Sequence, residues 1–147
     1  MPILRERIET ALPLDEAFAF VADFANAGDW DPGVASSVRV DAGPVGIGSR
    51  YDLEVRMRGS VSPMRYEVTA WEPLRRVVLE GSGSGIEATD DIRFEATSAG
   101  TRIDYVADIR LTGLMRLAAP FAGGTFARIA ADARDGMQRA VDSLAAA

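Results

Sequence analysis

The feature that most limits what this chain can become is strict alternation. In Arg50-Tyr-Asp-Leu-Glu-Val-Arg-Met-Arg58 every second residue is apolar and every residue between is charged. A period of two belongs to a strand with one dry and one wet face, because successive side chains of an extended chain point to opposite sides. Tyr51, Leu53, Val55 and Met57 therefore share the dry face, and Arg50, Asp52, Glu54, Arg56 and Arg58 the solvent face. The same split recurs downstream. Met64, Tyr66, Val68 and Ala70 oppose Arg65, Glu67 and Thr69, while Thr101, Ile103, Tyr105, Ala107, Ile109 and Leu111 oppose Arg102, Asp104, Asp108 and Arg110. Shorter candidates at 3–10, 34–41, 76–80 and 86–95 bring the count to about seven strands joined by short turns. The run Gly81-Ser-Gly-Ser-Gly85 is short enough to be one such turn. Short connections and a single wet face make the sheet antiparallel.

A sheet with one dry face needs a cover, and two helical regions can supply it. The first opens after Pro13, with Leu14 or Asp15 near the cap and Phe18, Val21 and Ala22 at helical spacing, and ends by Asn26-Ala-Gly28. The second, from about Phe126 to Leu144, repeats apolar residues at steps of three and four: Phe126, Ile129, Ala130, Ala133, Met137, Ala140, Val141, Leu144. Gly136 costs that helix about 1 kcal/mol relative to Ala, so packing on the sheet must dominate its stability. The residues before it, 112–124, contain Pro120 and Gly123-Gly124, which break any single helix there.

With 147 residues, the chain reads as one domain over 1–147. The net charge of -6 argues against nucleic acid as a partner, since phosphates select basic faces. The stretch Leu111 to Ala127 carries Arg116, Pro120 and two glycines, so no membrane span is expected. Met1-Pro2 leads straight into an alternating segment, which makes a cytoplasmic location the expectation. There is no histidine or cysteine, and all sixteen basic residues are arginines. A thiolate nucleophile, a Ser/His pair, a Schiff-base lysine and a Cys/His zinc site are thereby excluded. No metal and no cofactor are expected. Carboxylates, tyrosines, hydroxyls and arginines remain to do any chemistry.

One strand, two short helices, six strands and a long C-terminal helix is the order of the helix-grip fold. The segments Pro13-Leu-Asp-Glu-Ala-Phe-Ala-Phe-Val-Ala-Asp23, Trp30-Asp-Pro32, Gly46-Ile-Gly48-Ser, Trp71-Glu-Pro73-Leu-Arg-Arg76 and Gly100-Thr-Arg102 lie along it. Together they resemble the START-like (SRPBCC) superfamily, in particular its polyketide cyclase/dehydrase and lipid-transport group. The resemblance implies an α+β helix-grip fold of the START/Bet v 1-like kind. In it a curved seven-stranded antiparallel sheet wraps around a long C-terminal helix, with two short helices between strands 1 and 2. It also implies a deep apolar cavity between sheet and helix, with the region corresponding to 112–124 bordering the entrance. It does not imply one chemistry, because such folds host many functions.

Strand phase suggests what lines that cavity. All three tyrosines, Tyr51, Tyr66 and Tyr105, fall on the dry face, as do Met57, Met64 and Phe94. Trp30, Leu79 and Phe126 complete the candidate ligand-binding set together with Leu117 and Phe121 of the entrance segment. Asp90 is the unusual member, because in Ile86-Glu-Ala-Thr-Asp-Asp-Ile-Arg-Phe94 it is in phase with Ile86, Ala88, Ile92 and Phe94. If the next turn lies near Ser98-Ala99, paired numbers sum to about 197, placing Asp90 opposite Ala107 and diagonal to Tyr105. A carboxyl desolvated there could exchange protons near neutrality, which makes Asp90 and Tyr105 the candidate catalytic residues. Glu6 has a weaker claim, being in phase with Leu4 and Ile8.

Three function classes remain. A binder or carrier of a small hydrophobic molecule (lipid, polyketide or aromatic compound) fits best a chain stripped of nucleophiles. A polyketide aromatase/cyclase or dehydratase working by acid and base groups comes next, and a protein-interaction module last. The expected partner is thus a small hydrophobic ligand, with the protein a monomer or homodimer.

Overall fold

The computed structural model describes residues 3–57 and 59–147. Seven strands form one antiparallel sheet: β1 (Ile3–Thr10), β2 (Val34–Arg39), β3 (Arg50–Met57), β4 (Ser60–Glu72), β5 (Arg76–Gly83), β6 (Ile86–Ala96) and β7 (Thr101–Leu111). Their order across the sheet is β1-β7-β6-β5-β4-β3-β2, a meander in which only β1 is displaced, to pair with β7. Arg58, the expected last residue of β3, lies outside the described residues, as do Met1 and Pro2.

Alternation translates directly into burial. Along β3, Tyr51 and Leu53 are buried while Arg50, Asp52 and Glu54 are exposed, and β4 repeats the pattern with Met64, Tyr66 and Val68. The wet face is laced with ion pairs between register partners, Arg7 with Asp104, Arg65 with Asp52 and Arg102 with Glu95. Being exposed, each contributes at most about 1 kcal/mol. The expected Gly/Ser loop is shorter than 81–85: strand pairing continues through Gly83, and only Ser84 and Gly85 turn the chain. Both have positive φ, the conformation a two-residue hairpin turn demands.

Three helices cover the dry face. Helix α1 (Leu14–Val21) follows Pro13, carries Asp15 and Glu16 in its first turn, and buries Ala17, Phe18 and Val21. Phe18 sits edge-on to both Trp71 and Phe94 at 5.0 Å, sealing one end of the sheet. A tight turn at Phe24–Asn26, capped by the Asp23 side chain, leads to the one-turn α2 (Ala27–Trp30). Helix α3 (Ala119–Ala146) runs back along the sheet and buries Phe126, Met137 and Val141.

Helix α3 corrects the expected start near Phe126: it begins seven residues earlier, at Ala119, preceded by a tight turn at Gly113–Ala118. Pro120 lies in its first turn, where a missing N–H removes no helical bond. Gly123 and Gly124, in the second turn, weaken the helix without ending it, about 1 kcal/mol each. Gly136 has a different reason to be small. A Cβ there would stand 2.0 Å from the Trp30 carbonyl oxygen, so this glycine lets α3 touch the backbone of α2. No helix is long and apolar enough to cross a membrane among the described residues.

Candidate functional site

Between the sheet and α3 lies an apolar cavity in two lobes, each of about 120 Å³. Trp30, Asp31, Tyr66, Ala88, Asp90 and Tyr105 are common to the walls of both lobes. One lobe opens toward β1 and α3, past Leu4, Glu6, Ala133 and Met137; the other runs toward β3 and Phe126, past Met57 and Met64.

Asp90 reaches the shared wall because β6 keeps its phase. Its register partner is Ala107 on one side and Leu79 on the other, and Tyr105 pairs with Ile92, one diagonal away, as the hairpin count requires. The small Ala107 leaves the carboxyl room, and Asp90 Oδ2 accepts a hydrogen bond from the Tyr105 hydroxyl. Only 6% of Asp90 is exposed. Burial pushes its carboxyl up to about 7 against the opposing Tyr105 hydrogen bond, and the charge of Asp31 adds to the rise. The same burial holds the Tyr105 and Tyr66 hydroxyls well above the usual phenol range, so both stay protonated donors. A carboxyl poised near neutrality beside a fixed phenol can take up or release a proton.

Asp31 is the residue that strand phase could not supply. It follows α2, in an extended conformation before Pro32, and its Oδ1 accepts from the Gly33 N–H at 2.8 Å. Burial pushes its carboxyl up to about 6 against that hydrogen bond; Asp132 adds to the rise and Arg56 opposes it. The Asp-Pro-Gly sequence is a turn signal, and an Asp whose side chain folds onto its own backbone was the available clue. The cavity also takes Ala88, Ile109, Ile129, Ala133 and Met137, which the candidate set omitted, and Glu6 stands at its rim.

Of the candidate set, Trp30, Met57, Met64, Tyr66, Asp90, Tyr105 and Phe126 are on the cavity walls. Tyr51 is fully buried behind Phe24 and does not reach the cavity. Leu79 is equally buried, within the core beside Asp90. Phe94 is taken up by Phe18 at the sealed end. Leu117 and Phe121 are 77% and 82% exposed and line neither lobe. Arg56, expected on the wet face, bends around the end of β2 to donate to the carbonyls of Pro32 and Val34, which brings it to the cavity rim. Tyr66 keeps its place because its partner across the sheet is Gly81, where a Cβ would stand 2.5 Å from the ring. Among the described residues no group of three or more carboxylates is placed to hold a metal ion.

A family model described as polyketide cyclase / dehydrase and lipid transport matches residues 1–147. The chain belongs to this family. Solved structures similar to this family member include a protein from Thermus thermophilus, 16% identical, covering 99% of each chain with a TM-score of 0.80. The Zhui aromatase/cyclase from a Streptomyces species is 14% identical, covers 99% of this chain and 93% of that one, and has a TM-score of 0.78. The di-domain ARO/CYC StfQ from the steffimycin biosynthetic pathway is 15% identical with a TM-score of 0.76; the match covers 98% of this chain and 50% of that one. At such identities the likeness is one of fold. No curated protein matches the sequence. Family and fold together support a role in ligand binding or cyclisation.

Proposed function

We propose that the protein binds a small, mostly apolar molecule in the two-lobed cavity and holds the molecule's polar end at Asp90, Tyr105 and Tyr66. The observation that carries this reading is the contrast within the wall: an apolar enclosure with its few polar groups gathered where the two lobes meet. Native mass spectrometry of the purified protein tests it. The wild type is expected to retain or take up one molecule of 2-naphthylmethanol, and Ala133→Phe, which fills the lobe beneath α3, to lose it while remaining folded. A wild type that takes up nothing, or a variant that binds as well, contradicts the reading.

A second reading, acid and base catalysis on the bound molecule, is favoured by one observation, the Asp90 carboxyl held near 7 in contact with Tyr105. Ionised Asp90 would remove a proton from carbon next to a carbonyl and return it elsewhere, the elementary step of enolisation, aldol closure and loss of water. Exchange of the methyl protons of 2-acetylnaphthalene in heavy water, followed by NMR, measures that step. Acceleration by the wild type and not by Asp90→Asn is the expected result; equal rates would remove Asp90 from the chemistry.

A further inference from the structure

The polar wall of the cavity is one-sided in charge. Its ionisable carboxyls are the buried Asp90 and the half-buried Asp31, with Glu6 at the rim. Among the described residues neither Asp31 nor Asp90 lies in an ion pair, although ten such pairs decorate the rest of the molecule. The two arginines that reach the rim are engaged elsewhere, Arg56 on the carbonyls of Pro32 and Val34 and Arg134 on Asp135 at 3.0 Å. Buried carboxylates are normally paired with a cation. Among the described residues none stands within ion-pair distance of either.

Asp31 uses Oδ1 for the Gly33 N–H and Asp90 uses Oδ2 for Tyr105, so each keeps one oxygen without a donor among the described residues. The Tyr66 hydroxyl, on a residue only 7% exposed, has no hydrogen-bond partner among the described residues. Three acceptor oxygens on one wall match the three donors of a primary ammonium, which carries no acceptor of its own. The rest of the shared wall is aliphatic and aromatic: Ala88, Ile109 and Ile129 stand with Tyr66 and with Trp30, which meets Tyr105 edge-on at 5.9 Å. Tryptophan and tyrosine rings attract cations through their faces. A carboxylate ligand would meet the reverse, two like charges of which only that of Asp31 is partly offset, by Arg56.

We infer that the cavity selects a ligand with a protonated amine on an apolar, ring-sized body and discriminates against carboxylates, fatty acids included. Asp31 and Asp90 are then the specificity-determining residues. The inference rests on the proposed binding role and names the ligand class for that same site.

Calorimetric titration with three probes that share one ring system tests it: 2-naphthylmethylamine, 2-naphthylmethanol and 2-naphthoate at neutral pH. The amine is expected to bind about tenfold or more tighter than the naphthoate, with the alcohol between them. Asp31→Asn combined with Asp90→Asn is expected to collapse the ratio of amine to alcohol affinity. The probe series on the wild type stands by itself should that variant not fold. Naphthoate binding as tightly as the amine overturns the inference while the binding role stands, whereas no binding by any of the three overturns both.

Discussion

At the scale of single residues, Asp90 carries most of the account, and its cost to stability is testable without knowing any ligand. Its folded-state pKa is raised to about 7 from 3.8, so between those values the folded state binds more protons than the unfolded state. Stability from this group is therefore full in acid and is lost as pH rises through about 7. Asp31 acts in the same direction up to about 6. Asp41, Asp52 and Asp91, held below the usual range beside Arg39, Arg65 and Arg76, act oppositely and lose stability as pH falls. Comparing wild type with Asp90→Asn isolates the first effect. Urea denaturation is expected to show the variant gaining on the wild type from pH 5 to pH 8, by an amount on the order of a few kcal/mol. A constant difference across that range would show Asp90 to be solvated. Asp90 was legible in the sequence because phase and hairpin counting are both local arithmetic. Asp31 was not, because a loop residue has no phase; its aim is set by Pro32, the Gly33 turn and where α2 lies.

At the scale of elements, alternation located all seven strands but not all their ends, since β4 runs Ser60–Glu72 beyond the expected Met64–Ala70 and β5 continues to Gly83. It reports which face a residue is on and not how far along the barrel it lies. Tyr51, Leu79 and Phe94 are on the dry face as expected, yet Phe24, the neighbouring strands and Phe18 cover them, and only the middle of that face borders the cavity. For Leu117 and Phe121 the apolar composition gave no direction, and both point outward. Helix α3 offers the sharpest test of packing against propensity. Gly123→Ala and Gly124→Ala meet nothing within 4 Å and should each raise stability, by up to about 1 kcal/mol. Gly136→Ala makes the same gain in propensity but drives its Cβ into the Trp30 carbonyl, so it should lower the melting temperature. Calorimetric melting of the three variants distinguishes them, and a stabilised Gly136→Ala would mean that α3 does not rest on α2.

At the scale of the whole molecule, the chain joins a fold that tolerates many chemistries to a composition that permits few. With histidine, cysteine and lysine missing, the cavity offers a ligand hydroxyls, carboxyls and aromatic faces where the two lobes meet, and arginines at its rim. Sequence could reach the architecture, because the long strands and α3 each announce their own period. The cavity's exact walls depend on how the sheet curves and where α3 lies on it, a global property that no short window contains. The most direct measurement is a crystal structure of the wild type grown with 2-naphthylmethanol. The ring is expected between the sheet and α3, with its hydroxyl within hydrogen-bond distance of Asp90, Tyr105 or Tyr66; an empty cavity, or the ring bound only outside it, would contradict the binding role.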